Sequence, residues 1–198
     1  MEVRPLREIT GDSLFNQVFL DDVFVPDDCV VGAVNSGWRV ARTTLANERV
    51  SLSQTWTFGS GVAELLQVAS VAAGSSHTRV GELVCAAHAI DLLGLRVTLK
   101  QLSGTEPGAT GSVRKLLGMR HAQEIAELCF ALSGPAGALG GAGGAPVTVS
   151  GEPNGAQWAR QVLMTQALTI GGGTTDIQLN IIGERILGLP RDPDPPTG

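Results

Sequence analysis

The sequence predicts a mainly α-helical fold, an up-and-down bundle preceded by a short β segment. From Gly37 onward, apolar residues recur at the three- and four-residue spacing of a helix face, and no proline interrupts them before Pro107. Ahead of Gly37, a stretch rich in Val and Phe shows the partial alternation of short strands. Glycine-rich breaks then divide the helical part into segments that must pack side by side.

The β segment covers residues 14–25. Its apolar positions, interrupted by two aspartates, include Phe15, Val18, Leu20, Val23 and Val25. Proline cannot donate to a strand ladder, so Pro26 ends this segment. One or two short strands are therefore expected here.

Five helices are expected from the spacing of the apolar residues. They run from Gly37 to near Gly74, from about His77 to Leu102, from about Ser112 to Leu132, from about Asn154 to Thr169, and from about Thr174 to Leu187. Between the third and fourth helices, residues 134–151 are rich in glycine and contain two prolines, which predicts a mobile loop. Thr174 suits the N-cap of the fifth helix.

Three regions follow from this reading. Residues 1–35 form the β part, residues 36–188 form the helical bundle domain, and residues 189–198 form a proline-rich tail that is expected to be disordered.

Composition excludes several classes of function. The net charge is −5 and 17% of residues are charged, so no basic patch indicates nucleic-acid binding. No apolar stretch is long enough for a membrane span, and the first residues do not resemble a signal peptide, so a cytoplasmic protein is expected. The three histidines lack metal-binding spacing. The three cysteines are expected to be reduced, with Cys85 and Cys129 filling the core.

Two strings of residues resemble a known family. The C-terminal string Gly171-Gly172-Gly173-Thr174-Thr175-Asp176-Ile177-Gln178 resembles the signature of the acyl-CoA dehydrogenases, in which a Gly-Thr-Ser-(Glu or Gln)-Ile-Gln run meets flavin and acyl-CoA. The N-terminal string begins at Phe15-Asn16-Gln17-Val18, passes Gly37-Trp38-Arg39 and ends at Asn47-Glu48-Arg49. The resemblance implies that residues 1–35 are the end of a central β-domain and that the rest is the C-terminal helical domain.

The resemblance also implies an activity. Such a protein uses FAD for the α,β-dehydrogenation of an acyl-CoA thioester and passes electrons to an electron-transfer flavoprotein. It assembles as a homo- or hetero-oligomer. The sequence further resembles an actinobacterial subgroup built from two different subunits, which implies oxidation of fatty-acyl or sterol side-chain thioesters.

Site residues come from the same resemblance. In many relatives a glutamate base stands directly before the Gly-Thr of the signature, but here that position is Gly172. The isovaleryl and long-chain enzymes place the base on the first long helix, directly before an arginine. Glu48 matches that base and Arg49 the adjoining substrate-pocket residue. The alternative is that Glu48 and Arg49 form an ordinary exposed pair on a helix.

The cofactor residues implied by the resemblance are Gly173, Thr174 and Asp176, of which Asp176 replaces the usual Glu or Gln. Thr174 could act only as a helix cap, although capping and cofactor contact are compatible. Two family motifs are missing, and Arg79 is at best a remnant of one of them. The second hypothesis is therefore a non-catalytic assembly subunit that completes the FAD site of a partner. A third is a fragment that folds as a bundle and binds neither FAD nor acyl-CoA.

Overall fold

The computed structural model describes residues 1–41, 43–44, 61–72, 77–105, 108–135 and 155–191. Within them, the chain begins with a β-hairpin and continues as a helical bundle, which confirms the predicted fold class. Residues 192–198 of the predicted disordered tail and most of the predicted loop at residues 134–151 lie outside the described residues. Among the described residues, no helix combines the length and the apolar character needed to cross a membrane.

The hairpin pairs strand β1 (Glu2–Leu6) with strand β2 (Phe15–Phe19) in antiparallel register, Glu2 opposite Phe19 and Leu6 opposite Phe15. Strand β2 lies within the predicted β segment. Strand β1 was not predicted, because Pro5 and the charged side chains of the first residues obscure any alternation. Residues 20–25 of the predicted segment form no second strand, and a 3-10 turn at Asp27–Cys29 follows Pro26.

Besides the helical residues 37–41 and 43–44, the structure describes α1 (Val62–Val71), α2 (His77–Leu102), α3 (Thr110–Leu132), α4 (Gly155–Met164) and α5 (Thr175–Arg185). A 3-10 helix at Thr165–Thr169 continues α4. The bounds of α2 and α3 agree closely with the predicted second and third helices. Helix α3 contacts α1, α2, α4 and α5 and therefore forms the centre of the bundle.

The prediction of one unbroken helix from Gly37 to near Gly74 was wrong. Residues 37–41 and 43–44 are helical, but Gly61 has φ +98° and serves as the N-cap of a new helix, α1. This φ lies in the left-handed region, which an uninterrupted α-helix does not contain. A Cβ at Gly61 would stand 3.2 Å from Ile125 Cγ2 of α3, so glycine also allows the close approach of the two segments.

Two apolar clusters hold the helices together. The larger joins α1, α2, α3 and α4 and consists of Leu65, Val68, Val80, Leu83, Ile125, Cys129 and Trp158. The smaller joins α3 to the 3-10 helix and consists of Leu116, Met119 and Leu168, with Ile182 of α5 packed against it. Full burial of one such side chain contributes roughly 1.5–3 kcal/mol. The smaller cluster therefore anchors the segment that leads into α5.

Polar groups are also buried between the helices. His121 of α3 is 3% exposed, and its Nε2 donates a hydrogen bond of 2.8 Å to the carbonyl oxygen of Leu83 in α2. Burial of the Cys129 thiol, followed by the charge of Glu64, raises its pKa to about 12. This thiol is an inert core group, as predicted. Cys85, by contrast, is exposed, so its predicted role as a core residue was wrong.

Candidate functional site

The turn between the 3-10 helix and α5 carries the glycine-rich string singled out in the sequence. The amides of Gly171 and Gly173 donate to the carbonyl oxygens of Ala167 (3.0 Å) and Ile170 (3.2 Å). Gly172 has φ +68° and Gly173 has φ +104°. Both lie in the left-handed region that glycine adopts without strain. The glycine-rich string therefore forms a tight turn that leads directly into α5.

Thr174 is the N-cap of α5, as predicted. Its backbone is extended and its Oγ1 accepts a hydrogen bond of 3.4 Å from the amide of Ile177. The first amides of a helix have no acceptor within the helix, and those of Thr175 and Asp176 belong to this group. The side chains of Thr174 and Asp176 are exposed. The start of α5 thus presents a hydroxyl, two amides and a carboxylate on one small surface.

Gly173 is held from the inner side of the turn by a residue of α5. Gln178 is 1% exposed, and its Nε2 donates to the carbonyl oxygens of Gly172 (3.0 Å) and Gly173 (3.3 Å). A Cβ at Gly173 would stand only 2.6 Å from that nitrogen. Position 173 therefore has no room for a side chain while Gln178 occupies this place.

A second helix reaches the same carbonyl oxygen. Nζ of Lys115, from α3, donates a hydrogen bond to Gly173 O. Neither Lys115 nor the inward role of Gln178 was predicted from the sequence. The Lys115 contact joins residues 58 positions apart, and no local pattern reports such a distance. The sequence did single out Gln178 to some extent, because it is a polar residue between Ile177 and Leu179, four residues after the N-cap Thr174.

The structure brings together three of the five predicted site residues, namely Gly173, Thr174 and Asp176. Glu48 and Arg49 lie outside the described residues. The last described residues before them, Thr43 and Thr44, are helical and donate through their hydroxyls to carbonyls four residues earlier, at 3.1 and 3.2 Å.

The interactions of Arg79 are ion pairs with neighbouring glutamates. Arg79, considered above as a motif remnant, is exposed and forms ion pairs with Glu82 (3.0 Å) and Glu124 (3.2 Å). The hydrogen bond to Glu82 and the charge of Glu124 raise the pKa of Arg79.

Among the described residues, no group of three His, Cys, Asp or Glu side chains is placed to hold a metal ion.

Comparisons with known proteins converge on one family. The family model described as acyl-CoA dehydrogenase, C-terminal domain, matches residues 35–187. Acyl-CoA dehydrogenase FadE34 of Mycobacterium tuberculosis is 47% identical over 193 residues, which are 96% of this chain and 25% of that protein. Acyl-CoA dehydrogenase IpdE1 of the same organism is 34% identical over 97% of this chain and 48% of its own length.

A solved structure has the same fold. One chain of the ChsE4–ChsE5 complex from Mycobacterium tuberculosis matches with a TM-score of 0.76 and 26% sequence identity, over 96% of this chain and 50% of that one. The chain thus spans between a quarter and a half of the length of these relatives. The matched part corresponds to one domain and a short segment preceding it.

Proposed function

The chain belongs to the acyl-CoA dehydrogenase family, whose C-terminal domain it matches. We propose that it is the C-terminal region of an FAD-dependent enzyme that dehydrogenates an acyl-CoA thioester between its α and β carbons. The observation that carries the proposal is the turn of the family signature. Glycines with positive φ end at Thr174, which caps α5 and keeps its hydroxyl at the surface.

The groups at the start of α5 suit part of a flavin nucleotide. The amides of Thr175 and Asp176 are donors, the hydroxyl of Thr174 is both donor and acceptor, and the carboxylate of Asp176 is an acceptor. A carboxylate suits the hydroxyls of a sugar or ribityl chain and repels a phosphate. We therefore assign Gly173, Thr174 and Asp176 to the hydroxyl-bearing part of FAD and not to its pyrophosphate.

Glu48 is the proposed base. FAD, when bound, accepts the hydride that leaves the β carbon of the thioester. A carboxylate must take the proton from the α carbon, and Gly172 cannot do so because it has no side chain. Its φ of +68° also disfavours a glutamate there. Arg49 is proposed to shape the substrate pocket beside Glu48.

Replacement of Glu48 tests the proposal. In the complete assembly, Glu48→Gln is expected to lower kcat by at least roughly a hundredfold, because an amide cannot accept the proton. The bound flavin and the melting temperature should not change. Glu127→Gln, at an exposed position of α3, is the matched control and should keep normal turnover. Normal turnover in Glu48→Gln would refute Glu48 as the base.

The proposed partners are an acyl-CoA substrate of the fatty-acyl or sterol side-chain class, an electron-transfer flavoprotein and further family subunits.

An exposed apolar surface supports assembly with further family subunits. On α2, a row of leucines at helical spacing is more than half exposed, and we call it the α2 stripe: Leu92, Leu95, Leu99 and Leu102. Arg96 and Lys100 border it in a shallow groove. We propose that a homologous subunit covers this stripe, since the similar structure named above is a complex of two proteins.

The second candidate function is a non-catalytic subunit that completes the FAD site of a partner. Gly172, which replaces the usual base, is the observation that favours it. In this case the chain should be colourless alone and should yield a yellow complex when it is purified with a longer homologous subunit. Glu48→Gln would then leave turnover of that complex unchanged, which distinguishes the two candidates.

A further inference from the structure

The carbonyl oxygen of Gly173 accepts hydrogen bonds from two helices at once. Gln178 of α5 donates through Nε2 and Lys115 of α3 donates through Nζ. Gln178 is fully buried and Lys115 is half-buried. Buried donors are favourable only when they are paired, and a charged donor forms the stronger bond. The orientation of the Gly173 peptide is therefore determined from inside the bundle, one residue before the cap Thr174.

The dipole of α5 does not favour an ammonium group at this place. The N-terminus of a helix carries a partial positive charge and favours anions, so an ammonium group beside it is unfavourable for that helix. Asp176 in the first turn offsets this in part. An arrangement that opposes the helix dipole suggests a role in the site that the helix start forms.

The contact also links the turn to the centre of the bundle. Leu116, the next residue after Lys115, is buried with Met119 and Leu168 in the smaller apolar cluster. Lys115 is thus held on a packed helix, and only its flexible end reaches the turn. The amide of Gly173 donates to Ile170 O, whereas its carbonyl oxygen is held by the two side-chain donors.

We propose that Lys115 is a positioning residue for the cofactor. With Gln178 it holds the Gly173 carbonyl, so that the hydroxyl of Thr174 and the first amides of α5 face outward in a single arrangement. This inference rests on the proposed function, because the group that this surface meets is FAD.

The test uses the assembled protein with its partner subunits and compares Lys115→Met with Lys115→Arg. Arg120→Met, at an exposed position of the same helix, is the control. The dissociation constant of FAD is measured by flavin fluorescence. Hydrogen exchange of residues 173–177 is measured separately in protein without FAD. Lys115→Met is expected to weaken FAD binding about tenfold, or about 1.4 kcal/mol, and to speed exchange in this segment. Lys115→Arg should restore both, since a guanidinium can also donate to Gly173 O.

The outcomes separate the two proposals. If the unsubstituted assembly binds no FAD, the proposed function fails and the inference fails with it. If the unsubstituted assembly binds FAD and Lys115→Met binds it equally well, only the role of Lys115 is refuted. In that case, a lower melting temperature of Lys115→Met would show that Lys115 has a purely structural role. Should Lys115→Met not fold, Lys115→Gln takes its place. Its side chain is shorter and its donor is neutral, so the bond to Gly173 O should weaken and FAD affinity should fall; FAD affinity equal to that of the unsubstituted assembly refutes the inference.

Discussion

At the scale of single residues, Gly173 is the most constrained position of the site. We expect Gly173→Ala to lower the free energy of unfolding by roughly 1–3 kcal/mol, because it combines a left-handed backbone with a clash against Gln178. Chemical denaturation of the purified chain measures this.

Gly81→Ala is the matched control. Gly81 lies within α2, where a methyl group would meet no atom within 4 Å. Alanine there should raise stability by roughly 0.5–1 kcal/mol, because it lowers the entropy of the unfolded chain. Equal effects of the two substitutions would contradict the conformation described for Gly173.

The residues of the site differ in how far the sequence reveals them. Thr174 was predicted as a cap because capping depends on a few neighbouring positions. Lys115 was not, because its contact with Gly173 depends on how α3 packs against α5. Cys85 was misjudged for a related reason. Helical spacing shows which residues share a face, but it does not show which face meets another helix.

At the scale of secondary-structure elements, the hairpin is joined to the bundle by an exposed ion pair. Arg160 of α4 donates from its Nε (3.1 Å) and from a terminal nitrogen (2.5 Å) to one oxygen of Asp12. The hydrogen bond from Arg160 is the main cause that lowers the pKa of Asp12 below its ordinary value of 3.8. The stabilising contribution is therefore present above about pH 3.8 and is lost as the pH falls through the lower pKa of the folded state.

Loss of this pair should loosen the hairpin. Arg160→Met is expected to speed hydrogen exchange of the β1 and β2 amides at neutral pH, with little change in α2 and α3. In the unsubstituted chain, the same protection should decline below pH 3.8, after correction for intrinsic exchange rates. Arg79→Met, which removes exposed ion pairs on α2 and between α2 and α3, should leave the hairpin amides unchanged. Unchanged exchange in Arg160→Met would show that the pair does not restrain the hairpin.

Elements bounded by strong local signals were predicted well. Glycine, serine and proline surround α2 and α3, and their bounds agree with the structure within a few residues. The break at Gly61 was missed although Gly59-Ser60-Gly61 is a turn-forming string, because the helical spacing of apolar residues continues on both sides of it. Strand β1 was missed because strand pairing is not local, and its partner lies beyond a turn of eight residues.

At the scale of the whole molecule, the α2 stripe is expected to be an interface. Leu99→Glu would place a charge in the apolar contact and should prevent assembly with the partner subunit, while the helix content of the chain stays normal. Light scattering coupled to size-exclusion chromatography measures the mass. Gln101→Glu adds the same charge at an exposed polar position of α2 and should assemble normally. A normal mass for Leu99→Glu would place the interface elsewhere.

The contact between Gly173 and Gln178 has a consequence for how this site can evolve. A side chain at position 173 would displace the flexible end of Gln178, whose nitrogen lies 2.6 Å from the place of the missing Cβ. That displacement gives up one of the two donors on the Gly173 carbonyl. In descendants of this sequence, a change at position 173 is therefore expected to be accompanied by a change at position 178.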